Sequence, residues 1–294
     1  MKLVSAVITT HNRLELVKRA IKSVQDQTYK NIELIVVDDA STDGTKEYCE
    51  QQPFHFIHIP KEESTGGCHA RNLGILAAKG EYVAFLDDDD YWLPQKIEKQ
   101  VALIESRDCE LVYCRQRFEM VKNGEVSYVD SNKAKSDGGD MSKIVLQQII
   151  TTTTLVLIKR QALIDVGLFD EKLGFWQEYE LTIRLAQRKP FYFVNEILAV
   201  YRVDAKDKGR LTNKFYEWKK AVKYIYTKHK HLYAKLNPIE RIYKNLTFLY
   251  DAKLRSYNAG LMGWYRYYCK VIYIVSHILS VWRLIKRHIL HKED

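Results

Sequence analysis

Several common signatures are missing, and each absence removes a class of protein. The five cysteines, Cys49, Cys68, Cys109, Cys114 and Cys269, form an odd, scattered set without a CxxC pair. That disfavours a disulfide framework and a zinc knuckle and fits a reducing cytoplasm. No GxxxxGK and no GxGxxG occurs, so neither a Walker phosphate loop nor a dinucleotide-binding turn is indicated. The most apolar late stretch, Val271–Trp282, has 12 uncharged residues, where a bilayer span needs about 20. The opening run Leu3–Ile8 stops at Thr9, Thr10, His11 and Asn12, without the apolar core and cleavage site of a signal peptide. Internal repeats and low-complexity tracts are absent.

What is present is a chain of 294 residues, 46% apolar and 28% charged, enough for one large or two modest cored domains and unlike a disordered chain. The net charge of +9 is unevenly spread. Residues 205–294 hold 20 Lys and Arg against 6 Asp and Glu, whereas the first 204 hold 26 against 31. Eleven of the 20 tyrosines and three of the five tryptophans also fall in the basic segment. A near-neutral body with a basic, aromatic tail implies two regions with different jobs.

The first ninety residues alternate strand-like and helix-like runs. Leu3–Thr9, Glu33–Val37, Phe54–Ile59 and Glu81–Leu86 read as strands. Between them Leu14, Val17, Ile21 and Val24 recur at helical spacing, and 45–51 and 70–78 read as helices. Such βα alternation implies a mostly parallel sheet, whose ligands gather at the carboxyl ends of the strands. Thr9 to Arg13, Asp38 and Asp39, and Asp87 to Asp90 sit at those ends. Farther on, 110–118 and 125–129 are expected as strands around the turn Lys122-Asn123-Gly124, and 131–140 as a mobile loop. Residues 151–158 read as β-rich and 179–188 as helical, with 191–194 and 198–202 as two closing strands. Beyond Asp204 the chain turns helical, with Asn237-Pro238-Ile239-Glu240 a capped helix start.

Three features carry chemistry. In Asp87-Asp88-Asp89-Asp90, mutual repulsion favours a bound cation or protonation. Hard ions such as Mn²⁺ or Mg²⁺ take one or two carboxylates plus substrate phosphates; a solvated acidic turn is the plainer reading. No glycine supports an EF-hand. Asp39, at the end of Val36-Val37-Asp38-Asp39, can accept from a base or a ribose, or simply begin a turn. Gly66-Gly67-Cys68-His69-Ala70-Arg71 precedes a helix, where Arg71 can offset phosphate charge, or the glycines are only a loop.

Taken together, Ser5 to Arg13, Val37-Asp38-Asp39, Ala70-Arg71-Asn72 and Phe85 to Pro94 resemble, in order and spacing over about residues 3–204, the family 2 glycosyltransferases. The resemblance implies an inverting enzyme of the GT-A fold: a mostly parallel mixed sheet flanked by helices, here with a C-terminal helical subdomain. It divides the chain into a catalytic domain 1–204, with nucleotide-binding (1–106) and acceptor-binding (107–204) halves, and the tail 205–294. It also implies that Thr9, His11 and Arg13 hold the nucleoside of a UDP-sugar, with His11 where a tyrosine is usual. Asp39 would read the uracil edge, Arg71 contact the donor, and Asp88 face the ribose. Asp89, with Asp87, would bind Mn²⁺ or Mg²⁺ bridging the diphosphate. In Trp176-Gln177-Glu178-Tyr179-Glu180-Leu181-Thr182-Ile183-Arg184, Glu178 stands where the family's catalytic aspartate does, with Glu180 in reserve. Asp204 replaces a frequent histidine and is either an oxygen ligand or inert. Trp176 either stacks on an acceptor sugar or packs.

The basic tail offers either a packing subdomain or an interfacial membrane element, with Trp264, Tyr265, Tyr267, Tyr268, Trp282, Arg283, Lys286 and Arg287 as anchors. No nucleic-acid-binding motif is found in it. The expectation is a hexosyl- or N-acetylhexosaminyltransferase that is cytoplasmic, peripheral to the inner membrane face, and extends a glycan or lipid-linked glycan of a bacterial surface. An inactive nucleotide-sugar-binding partner and a nucleotidyltransferase are the alternatives. Donor sugar, acceptor, linkage and oligomeric state are not written in these motifs.

Overall fold

A computed structural model describes residues 1–133, 137–204 and 214–290, with side chains to His277. The chain divides into two compact units, one of Met1–Val145 and Ile149–Asp207, the other of Leu146–Gln148 and Lys208–Asp294.

The first unit is built on one sheet. Strands β1 (Val4–Thr10), β2 (Ile32–Asp39), β3 (His55–Ile59) and β4 (Tyr82–Asp87) run parallel in the order β3-β2-β1-β4. The sheet continues through β9 (Leu157–Lys159), β6 (Leu111–Lys122), β10 (Phe191–Asp204) and β5 (Tyr91–Trp92). Here β9 is antiparallel to β4 and β6, and β10 is parallel to β6. Hairpin partner β7 (Glu125–Asp130) flanks β6. Strands β1 and β4 are covered on both faces and read as near-continuous apolar runs for that reason. Helix α1 (Leu14–Gln25) buries Val17, Ala20, Ile21 and Val24, the stripe its periodicity predicts. The cluster gathers Ile8, Leu86, Ile97 and Leu157, each such side chain contributing about 1.5–3 kcal/mol when fully buried.

Three local expectations are corrected. The expected loop 131–140 lies partly outside the described residues. Its Gly138 and Gly139 form a short strand, β8, paired with Phe191 and Tyr192. Only glycine fits at 138, where φ is 126° and a Cβ would fall 2.2 Å from the Phe191 carbonyl oxygen. The β-rich stretch 151–158 is instead a 3₁₀ turn, Thr153–Leu155, leading into β9. The two closing strands are one, β10, with its register shifting between Val194 and Ala199. That irregularity is the gap the sequence pattern suggested.

The second unit is helical: α7 (Phe215–Lys228), α8 (Lys230–Tyr233), α9 (Pro238–Asn258) and α10 (Met262–Leu290). The capping box at the start of α9 is formed. Asn237 Oδ1 accepts from the Ile239 and Glu240 N–H groups at 2.9 Å, and Glu240 accepts from the Asn237 N–H at 2.8 Å. Fully buried Trp218 stacks on Phe248 at 5.4 Å and lies under the Arg255 guanidinium. Among the described residues no helix is long and apolar enough to cross a membrane. The side chains of Trp282, Arg283, Lys286 and Arg287 lie outside the described residues.

Candidate active site

The register sets the site. Thr9 on β1 lies between Val37 on β2 and Asp87 on β4, so three polar strand ends meet at one edge. The loops leaving β1 and β2 are zipped together. The Asn12 N–H donates to Ser41 Oγ, the Thr42 N–H to Asn12 Oδ1 (both 2.7 Å), and the Leu14 N–H to Asp43 Oδ2 (2.9 Å). The exposed His11 ring contacts the Asp39 carbonyl through Nδ1. Asn12 and Ala40 hold the left-handed conformation, φ 52° and 61°, a cost tolerated where surrounding bonds fix the loop. Beneath them the buried Asp38 carboxylate accepts from the Ser41 N–H and pairs with His58 Nδ1 at 2.8 Å. Asp39 points elsewhere: its Oδ1 is buried and has no hydrogen-bond partner among the described residues. A buried acceptor left unmatched costs about 1–3 kcal/mol, so this oxygen suits an incoming donor.

The four aspartates do four different things because a turn, with the Asp90 N–H bonded to the Asp87 carbonyl, fans them apart. Asp87 accepts from Arg71 Nη2 at 2.6 Å and from Thr153 Oγ1 at 3.0 Å. Asp88 is buried and takes Arg13 Nη1 at 2.9 Å and the His11 N–H at 3.3 Å. Burial pushes its carboxyl up to about 6, with Arg13 pulling down and Asp89 pushing up. Asp89 is more open, shares Arg13 at 3.0 Å, and has its carbonyl bound by Arg19. Asp90 is fully buried between the Thr154 hydroxyl (2.6 Å) and the Arg202 N–H (3.0 Å). Burial, then Asp89 and Asp87, raise its carboxyl well above the usual range.

Among the described residues no group of three or more His, Cys, Asp or Glu side chains is assembled to hold a metal. Asp87 and Asp89 supply hard oxygens of the type that Mg²⁺ or Mn²⁺ accepts one or two at a time, beside phosphate oxygens.

Across the cleft edge, helix α6 (Gln177–Ala186) starts behind Trp176, itself left-handed at φ 53°. Gln177 Oε1 accepts from Arg71 Nη1 at 2.6 Å, so one guanidinium joins the β4 aspartate to the start of α6. Gly67 leaves it room, since a Cβ there would lie 3.0 Å from Arg71 Nη1. Glu178, half-buried, lies within electrostatic reach of Arg71 and Cys68. Glu180 differs: it is fully buried and clamped by Arg184, Nη2 at 2.6 Å. Asp204 accepts from Arg202 Nη2 at 2.7 Å, and Trp176 packs edge-on against Tyr179.

Sequence reasoning missed Thr153, Thr154 and Gln177. It also missed buried Glu119, which pairs with Arg19 at 2.8 Å and lies 3.5 Å from Arg202. The run of four threonines at 151–154 was a usable signal, since hydroxyls beside an aspartate run are natural partners. The Arg19–Glu119 pair, 100 residues apart, left none.

The profile of Glycosyl transferase family 2 matches residues 5–170. The chain belongs to this family. An uncharacterized glycosyltransferase of Rickettsia typhi is 33% identical over 74% of this chain and 69% of its own length. The UDP-Glc:alpha-D-GlcNAc-diphosphoundecaprenol beta-1,3-glucosyltransferase WfaP of Escherichia coli is 35% identical over 49% of the chain and 57% of its own length. The structure of S. aureus TarS 1–349 with UDP-GlcNAc superposes with a TM-score of 0.65 at 17% identity, covering 87% of this chain and 72% of TarS 1–349. The mannosyltransferase PcManGT from Pyrobaculum calidifontis, with GDP-Man and Mn²⁺, gives 0.58 at 18% identity, covering 95% and 85%. These likenesses establish the family 2 sheet architecture, the GT-A fold, for the first unit, with a helical C-terminal region beyond it.

Proposed function

We propose that this glycosyltransferase moves a sugar, with inversion, from UDP to a hydroxyl of a lipid-linked bacterial surface glycan, with Glu178 as base. The observation that carries the reading is Arg71, whose two nitrogens reach Asp87 and Gln177. The carboxylate beside Gln177 and the aspartates at the end of β4 thereby flank one fixed cation. Glu178 takes the acceptor hydroxyl proton as that oxygen attacks the anomeric carbon and the bond to the diphosphate breaks. Arg71 supplies positive charge beside the phosphates. The unmatched Asp39 oxygen accepts the uracil N–H, and Thr9 and the His11 ring border the nucleoside, with Asp88 bracing Arg13 at its ribose side. Asp89 and Asp87 would hold Mn²⁺ or Mg²⁺, which would supply positive charge toward the departing diphosphate. The UDP-Glc donor of WfaP and the UDP-GlcNAc bound to TarS support a UDP-sugar donor, and the diphosphoundecaprenol acceptor of WfaP supports a lipid-linked one.

In this proposal residues 1–204 are the catalytic domain, in nucleotide-binding (1–106) and acceptor-binding (107–204) halves, and residues 205–294 a membrane-associating element at the cytoplasmic face. What supports it is the composition of this segment, 20 Lys and Arg against 6 Asp and Glu with eleven tyrosines and three tryptophans. The test is thermal stabilisation by UDP and UDP-sugars with Mn²⁺ and with chelator. Metal-dependent stabilisation supports the site. A folded protein that no UDP compound stabilises overturns the Asp39 and Asp89 assignments.

A further inference from the structure

Helices α7 and α9 enclose a cavity of about 580 Å³, within the range of small-ligand sites. Its floor is apolar, formed by Val222, Tyr226 and Phe248, and its rim carries Lys219, Lys223 and Lys230. The spacing explains the segregation. Residues 219, 222, 223 and 226 recur at three and four along α7 and share one face, and Lys230 joins them from the start of α8. No carboxylate lines the cavity, and among the described residues none pairs with these three ammonium groups. The described acids of this unit are few. Asp251 is bound by Arg255 at 2.8 Å and Glu240 by the α9 cap, and Glu217 is not part of the lining. Lys244 adds charge from behind: its ammonium lies 4.7 Å from the Tyr226 ring centre and 5.5 Å from that of Tyr233. Burial, with Arg241 nearby, lowers its pKa.

A cationic rim over an apolar floor is the complement of an amphiphile with an anionic head. A free nucleotide or sugar would leave the floor unmatched, and a neutral lipid would offer nothing to Lys223 and Lys230, while the Lys219 ammonium already lies 4.8 Å from the Trp264 ring centre. We propose that this cavity seats one anionic phospholipid of the bilayer, its phosphate among Lys219, Lys223 and Lys230 and the start of its acyl chain on Val222, Tyr226 and Phe248. The proposal rests on the membrane reading above and sharpens it from diffuse adsorption to a single lipid seat.

The experiment measures partition of the full chain onto phosphatidylcholine vesicles with and without about one-third phosphatidylglycerol, as electrostatic attraction to anionic lipid requires. Two triple variants remove equal charge: Lys219, Lys223 and Lys230→Gln, and the control Lys220, Lys235 and Lys270→Gln. A third, Asn245→Trp, fills the cavity mouth without changing charge. Melting temperature checks that each variant is folded. The expected result is at least a tenfold loss of partition for the cavity triple and for Asn245→Trp, with no more than a threefold loss for the control. Equal losses for both triples, with Asn245→Trp unchanged, overturn the seat and leave the membrane reading standing. Absence of any wild-type partition overturns the membrane reading itself. Monomeric dihexanoyl phosphatidylglycerol and farnesyl diphosphate complete the test. Saturable binding of the first, lost in the cavity triple, supports the seat even without vesicles. Stronger binding of the second overturns the bilayer-lipid occupant.

Discussion

The two units handle charge in opposite ways. At the strand ends of the first, acids and bases are matched inward: Asp87 with Arg71, Asp88 and Asp89 with Arg13, Glu119 with Arg19. In the helical unit the few acids are used locally and the lysines of α7 face outward around an apolar floor. Inward pairing fixes a geometry, because a buried charge must keep its partner or cost several kcal/mol. Outward excess fixes nothing internally and is available to a partner.

The contrast breaks most visibly at Glu178. Glu178→Gln is expected to lower kcat by at least about 10³-fold, since a general base contributes about 10²–10⁴, while UDP binding measured calorimetrically is kept. Equal loss of UDP binding would sink the base assignment.

Next come two tests of a single charged side chain, one per unit. Asp90→Ala strands the Thr154 hydroxyl and the Arg202 N–H and should cost about 3 kcal/mol in urea unfolding, at about 1–3 per group. Lys223→Ala removes an exposed lysine of the helical unit and should cost no more than about 0.5 kcal/mol. Similar costs would erase the distinction between inward and outward charge.

Lys96 gives a pH signature to the first unit. It is fully buried, bonded to Gln100 at 2.8 Å and set over the Trp92 ring at 4.2 Å. Burial lowers its pKa from 10.5 to about 8. Below pH 8 the lysine is charged in both folded and unfolded chains. Between about 8 and 10.5 the unfolded chain binds more protons, so this residue makes stability rise with pH across that window. The difference between wild type and Lys96→Met should carry that rise, at most about 3 kcal/mol. A flat difference curve would show that Lys96 is not desolvated.

The smallest effect is expected at the α9 cap. Asn237→Ala should lower stability by about 1 kcal/mol, read as a small fall in melting temperature with transfer unchanged.

The parallel strands β1 to β4, the α1 stripe and the α9 cap were legible because each is written in adjacent residues: alternation, periodicity, a cap with its proline. The aspartate run was legible as a site for the same reason, but not the division of labour within it. That Asp90 turns inward to Thr154, and that Glu180 is clamped by Arg184 while Glu178 is not, depends on how distant elements pack. Likewise β8 and the continuity of β10 across its irregularity arise from pairing between strands far apart in sequence.

Sequence alone determined the family, the parallel βα core and the set of polar strand ends, since local pattern and motif order fix which residue types arrive at which edge. Tertiary structure decided the partners: Arg71 between Asp87 and Gln177, Arg13 between two aspartates, the unmatched oxygen of Asp39, and the lysine-rimmed cavity. Those are distances across folded space, and burial gives them their energies by removing the water that would otherwise satisfy every group equally.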